Sequence, residues 1–227
     1  MAVNTRNNIV TNGLTLYWDG ANTLSYPSGS ATWNNLVSSN FNGLLLRGSS
    51  FTPFGGGSFL ANGTTTRITS SLQTLPSSST FEFWINRTNS ANEYNMIGGM
   101  YLPYFAFRSS SVFFFSNSYS GTQRNLSTPS TYSNNTWYNV AFVTEYTGSN
   151  VTTTSKIYVN GTLATSANYA GSQKSPTDQQ FTVGSQRSVI TEYPFSGSIA
   201  IAKVYNYALS DQEIVQNYNA TKGRFGL

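Results

Sequence analysis

Short runs in which apolar and polar residues alternate recur along most of the chain, and clusters of Gly, Ser, Asn and Pro stand between them. A period of two sends successive side chains to opposite faces of a strand, so each run can bury one face and leave the other to solvent. In Thr80–Asn86 (TFEFWIN), Phe81, Phe83 and Ile85 share one face. Trp137–Tyr146 (WYNVAFVTEY) is largely apolar on both faces, as a central strand of a sandwich must be. In Lys156–Ser166 (KIYVNGTLATS), Asn160-Gly161 separates two β-rich runs, and this dipeptide tolerates positive φ at both centres of a type I′ turn, which predicts a hairpin. Further runs fall at Leu14–Trp18, Leu44–Leu46, Tyr104–Phe107, Val112–Phe115, Phe181–Gly184 and Phe195–Asn206. The rhythm predicts an all-β fold, two antiparallel sheets packed as a β-sandwich of jelly-roll type.

One helix is expected, near the C-terminus. Ser210-Asp211-Gln212-Glu213 has the capping-box pattern, in which the Ser hydroxyl accepts from the Glu amide and the Glu carboxylate reaches back to the Ser amide. Ile214, Val215 and Tyr218 give it a short apolar face over about three turns at most, and Gly223 is the expected stop. No long linker, low-complexity tract or internal repeat divides the chain, so one domain is expected over residues 13–220, with arms at 1–12 and 221–227 that lie outside the patterned strands and act in assembly.

Composition removes whole classes of chemistry. The chain has neither His nor Cys, which excludes Ser-His-Asp catalysis, thiolate nucleophiles, disulfides and His- or Cys-based metal sites. Lys and Arg number 12 against 8 Asp and Glu and are scattered, so nucleic acid is not an expected partner. No segment is long and apolar enough to insert in a membrane, and the N-terminal MAVNTRNNIVTN has no secretory core. Ser, Thr and Asn number 33, 28 and 25 while charged residues are 9% of the chain, which makes the expected surface neutral and polar.

FEFWIN (Phe81–Asn86), WYNVAFV (Trp137–Val143), KIYVNG (Lys156–Gly161), FTVGS (Phe181–Ser185) and FSGSIAIAKVYNYALSDQEI (Phe195–Ile214) together resemble the laminin-G-like branch of the concanavalin A-like jelly-roll superfamily, over roughly Gly13 to Tyr218. The ends, LTLYWDGANTLSYPSGSATWNNL (Leu14–Leu36) and QNYNATKGRFGL (Gln216–Leu227), resemble laminin-G-like proteins of tailed, especially marine, bacteriophages. The resemblance implies a non-catalytic virion component, made in the host cytoplasm and displayed on the particle exterior as capsid decoration or a head or tail appendage. Its implied partners are the major capsid or other virion proteins and further copies of itself, a trimer among the options. The alternative is a lectin module that attaches to host-surface glycans.

The eight acids offer little for catalysis. Asp211 and Glu213 alone stand two apart, and they sit in the helix cap, while Glu82 and Glu145 are isolated on strands; glycoside hydrolysis would need a converging pair. No enzyme activity and no cofactor are expected. Calcium, the cation commonest in the family, would find only Asp19 with Asn22, which equally suit a turn after the first strand, and the family's further acid is replaced here by Asn35. Glycan recognition uses ring faces set among neutral amides and hydroxyls. Tyr101, Tyr104, Tyr119 and Tyr132 lie in such a segment and are the candidate binding residues, with affinity expected to be weak and insensitive to salt.

Overall fold

The computed structural model describes residues 8–89, 94–100, 102–117, 121–148, 152–171, 179–185 and 193–227. The alternating runs become strands of two eight-stranded sheets. The first sheet runs β14 (Thr162–Ala170), β13 (Thr152–Val159), β12 (Trp137–Thr147), β7 (Ser79–Arg87), β16 (Ser196–Tyr205), β5 (Ser58–Asn62) and β4 (Ser50–Thr52), with β1 (Leu14–Asp19) paired to β16. The second runs β11 (Gln123–Ser127), β10 (Ser111–Asn117), β9 (Tyr104–Arg108), β8 (Tyr94–Gly99), β15 (Gln179–Val183), β6 (Arg67–Gln73), β3 (Gly43–Leu46) and β2 (Thr32–Trp33). Every pairing between these strands is antiparallel.

The inward faces meet in an aromatic core. Phe81 and Phe83 from β7 reach across to Phe105 of β9, at 4.6 and 5.8 Å between ring centres, and Phe105 stacks on Phe142 of β12 at 4.4 Å. Such offset rings fill volume with few rotatable bonds, which suits a chain that draws 15% of its residues from Phe, Tyr and Trp. Asn160 and Gly161 close the β13–β14 hairpin with φ of 51° and 75°, the left-handed pair that the dipeptide predicts.

The first sheet is covered on its outer side as well, which explains why β12 is apolar on both faces. Helix α1 (Asp211–Thr221) carries the predicted capping box at Ser210 and lays Ile214 against Ala141, Val143, Tyr158 and Tyr205. Beneath it lies a buried polar network. Glu82 accepts from Lys203 Nζ (2.9 Å), Asn139 Nδ2 (3.0 Å) and Asn217 Nδ2 (2.8 Å), while Asn217 Oδ1 accepts from the Val10 amide at 2.8 Å.

The helix end differs from expectation. Gly223 is no stop, because the helix passes into a 3₁₀ turn over Lys222–Phe225, and the left-handed residue is Gly226 (φ 76°). Residues 221–227 do not extend as a free arm. Phe225 stacks on Trp84 at 4.0 Å and tilts against Trp137 at 4.8 Å, Thr221 Oγ1 accepts from Trp84 Nε1 at 2.8 Å, and Arg224 donates to the carbonyls of Gly55 (2.6 Å) and Gly57 (2.5 Å). The physical reason is that Trp84 points away from the inter-sheet core, so its ring needs another cover. Gly55 is required there because a Cβ would stand 2.4 Å from the Trp137 ring.

Candidate functional site

The outer face of the second sheet carries a ring platform. Alternation along β9 puts Phe105 and Phe107 in the core and so turns Tyr104, Ala106 and Arg108 outward; on β10 the same parity turns Phe113 and Phe115 outward. Register then assembles them. Phe115 faces Tyr104, Phe113 faces Ala106, and Arg108 faces Tyr94 of β8. Tyr104 stacks on Phe115 at 4.7 Å and 14°, and Tyr94 meets Phe113 edge to face at 5.6 Å. Met96, Ala106 and Phe113 form a buried floor, whereas Tyr94, Tyr104 and Phe115 are half-buried and Tyr193 is 41% exposed.

Two further features bear on this cluster. Tyr193 meets Tyr94 at 5.2 Å while its own φ is 55°, a left-handed value that a bulky ring seldom adopts and that persists only where the surroundings impose it. The Arg108 guanidinium lies 5.4 Å from the centre of the Tyr94 ring and 5.9 Å from that of Phe113. Burial, reinforced by Tyr94 and Tyr193 and opposed by Arg108, pushes the Tyr104 hydroxyl up to about 12. It is therefore neutral near pH 7, able both to donate and to accept.

Of the four tyrosines proposed from the sequence, Tyr104 lies at the centre of this platform. Tyr132 lies apart from it. It packs against the main core, edge to face with Tyr138 at 5.2 Å, and its carbonyl accepts from Arg87 Nη2 at 3.1 Å. Tyr101 and Tyr119 fall outside the described residues. Sequence reasoning missed Tyr94, Arg108, Phe113, Phe115 and Tyr193. The signal for three of these was the alternation of YFAFR and SVFFFSN, which sorts Tyr104 and Arg108 with Phe113 and Phe115 once the two strands are paired.

Asp19 and Asn22 form a turn. Asp19 accepts from Arg224 Nη1 (2.5 Å) and the Ala21 amide (2.9 Å) through Oδ1, and from the Tyr17 hydroxyl (3.0 Å) through Oδ2; Asn22 Oδ1 accepts from the Leu24 amide at 2.9 Å. Asn35 accepts from the amides of Tyr17 and Val37 and donates to the carbonyls of Thr15 and Asn40, so this side chain braces a loop. Among the described residues no three acids gather into a metal-binding group.

Double-sheet jelly rolls of antiparallel strands recur in viral capsid and lectin domains. The family model Laminin_G_3, described as the concanavalin A-like lectin/glucanases superfamily, matches residues 60–215, more than half of the chain, and the chain belongs to this family. Among solved structures, domain 4 of AbnA, an extracellular arabinanase from Geobacillus stearothermophilus in complex with arabinotriose, is 15% identical with a TM-score of 0.68 over 90% of this chain and 98% of that one. The receptor-binding domain of botulinum neurotoxin type G is 15% identical with a TM-score of 0.65 over 91% and 51%. The ligand-binding domain of botulinum neurotoxin serotype D in complex with N-acetylneuraminic acid is 14% identical with a TM-score of 0.67 over 91% and 50%. This chain spans about half the length of the two toxin domains, and at these identities the likeness is one of fold. Comparison with curated proteins finds no match.

Proposed function

We propose that this protein is a non-catalytic carbohydrate-binding domain that engages glycans through the outer platform of Tyr94, Tyr104, Phe115 and Tyr193. The observation that carries the reading is the half-exposed, stacked Tyr104–Phe115 pair over an apolar floor, beside neutral hydroxyls. Ring faces of this kind match the apolar faces of sugars, and tyrosine hydroxyls fix orientation through hydrogen bonds. The arabinotriose and N-acetylneuraminic acid complexes of the similar folds support the same ligand class. Among the described residues the acids support a non-catalytic role, because Glu82 is held by Lys203 beneath the helix, and Asp211 and Glu213 serve the helix start.

The test is calorimetric titration against a panel of oligosaccharides, with Tyr104→Ala and Phe115→Ala beside the wild type. Each substitution is expected to weaken binding about tenfold, ~1.4 kcal/mol, with the circular dichroism of the fold retained. Unchanged affinity in both would reject the platform. Tyr101 and Tyr119 belong in the same variant set.

A second reading places the domain on a phage particle, as decoration or appendage. It rests on the similarity of the two ends to phage proteins, and one observation favours treating those ends as a unit: Arg224 of the C-terminal segment is paired with Asp19 of the N-terminal one. Mass spectrometry of purified particles tests it. Copy number near that of the major capsid protein supports decoration, a few copies support a tail role, and absence from particles rejects the reading.

A further inference from the structure

Arg67 opens β6 beside Ile68, whose side chain is in the core, so Arg67 leaves on the outer face of the second sheet, the face of the ring platform. It is only 5% exposed, yet its Nε and Nη1 have no hydrogen-bond partner. Two guanidinium nitrogens shielded from water without a hydrogen-bond partner are costly to hold in a fold. The charge beside it has the same sign. Leu46 faces Arg67 across the β3–β6 ladder and Arg47 follows directly; burial first, and then Arg47, lower the Arg67 pKa.

The turn that carries Arg47 is built to stay in place. Arg47 and Gly48 have φ of 56° and 73°, and Ser49 Oγ donates to the Arg67 carbonyl at 3.1 Å, fastening the turn to β6. A non-glycine residue at positive φ is strained, and nothing in the turn itself calls for an arginine. The five acids among the described residues are occupied or remote: Asp19 with Arg224, Glu82 with Lys203, Asp211 with Lys156, Glu213 in the helix cap, and Glu145 on β12 of the other sheet.

We propose that Arg67 and Arg47 form an oxyanion site that takes the carboxylate or sulfate of an acidic sugar. The planar fork of the exposed Arg47 guanidinium fits either group with two parallel hydrogen bonds, and the buried Arg67 adds its charge beside it. β6 lies three strand steps from β9, roughly 14 Å at the usual spacing, so one oligosaccharide can stack on Tyr104 and reach Arg67 with an acidic group. The proposal rests on the glycan reading for its ligand, and it reverses one expectation: binding becomes sensitive to salt although the chain as a whole carries little charge.

The experiment has two arms. In the first, the melting temperature is followed in sodium sulfate against sodium chloride at matched ionic strength, for wild type, Arg67→Gln and Arg47→Gln. Sulfate stabilises folds generally, so the readout is the difference between proteins. A saturable rise in wild type that Arg67→Gln loses and Arg47→Gln weakens is expected. In the second, a hexameric oligouronate and its carboxyl-reduced neutral counterpart are titrated. The acidic form is expected to bind at least tenfold more tightly at low salt, with the advantage lost in Arg67→Gln while affinity for the neutral form is unchanged. Should Arg67→Gln fail to fold, Arg47→Gln on its turn carries both arms. Identical sulfate responses in all proteins, or equal affinity of wild type for both hexamers, overturns the proposal; if those equal affinities both fall in Tyr104→Ala, the platform stands without it. A sulfate response lost in Arg67→Gln with no binding of either hexamer keeps the anion site and rejects the platform.

Discussion

Glu82 and Lys203 are 1% and 0% exposed and meet at 2.9 Å, so neither has water to fall back on if the other is removed. Glu82→Gln or Lys203→Met alone is expected to cost about 3–5 kcal/mol in urea denaturation, because each leaves a buried group without its counterpart, and the double variant is expected to recover part of the loss. The tyrosines add a pH limit of their own. Burial raises Tyr104 to about 12 and moves Tyr17, Tyr158 and Tyr205 up further. A raised value means that the unfolded chain releases its protons first, so the stabilisation is complete below the ordinary value of 10.0 and is lost as pH climbs through the folded values. Melting temperature should therefore hold steady up to about pH 10 and decline above it, and the full phenolate absorbance of the fifteen tyrosines should be reached only as the chain unfolds. Full phenolate absorbance reached before unfolding would show these four hydroxyls to be open to solvent.

The C-terminal segment is the element that sequence pattern misjudged. KGRFGL has no alternation and follows the last apolar turn of the helix, so it resembles a free arm; what binds it is Trp84, whose outward-facing ring is visible only once β7 has been placed between β12 and β16. Deleting Gly223–Leu227 is expected to lower the melting temperature by at least ~5 °C, since Phe225 covers Trp84 and Trp137 and Arg224 ties the Gly55–Gly57 carbonyls to Asp19. An unchanged melting temperature would mean that the segment contributes nothing to the isolated fold. The opposite end of the same helix was legible, because a capping box is a local pattern of four residues. Ser210→Ala should cost ~1 kcal/mol.

At the scale of the whole molecule, the strands that could be read were those long and rich in apolar residues. Ser79–Arg87, Trp137–Thr147 and the hairpin at Asn160-Gly161 stand out, whereas β2, β4 and β11 are short or polar and are defined by their neighbours rather than by their own sequence. The platform was half legible for a related reason: Tyr104 was recognisable as a ring among polar residues, but its pairing with Phe115 and Tyr94 depends on strand register, which no local pattern states. The same arrangement separates the acids among the described residues. Glu82 is sealed under the helix, Glu145 lies on β12, and Asp211 and Glu213 sit at the helix start, where Tyr158 bonded to Asp211 and Tyr207 bonded to Glu213 help hold both carboxyls below their ordinary values against the opposing effect of burial. General acid–base cleavage of a glycosidic bond needs one carboxyl raised and another ionised on either side of the same linkage, and none of these pairs faces the ring platform. Incubation with laminarin, alginate or agar is therefore expected to release neither reducing sugar nor unsaturated product, even where titration detects binding. Product formation that disappears in Glu82→Gln or Glu145→Gln would overturn the non-catalytic reading and move the active site to the first sheet.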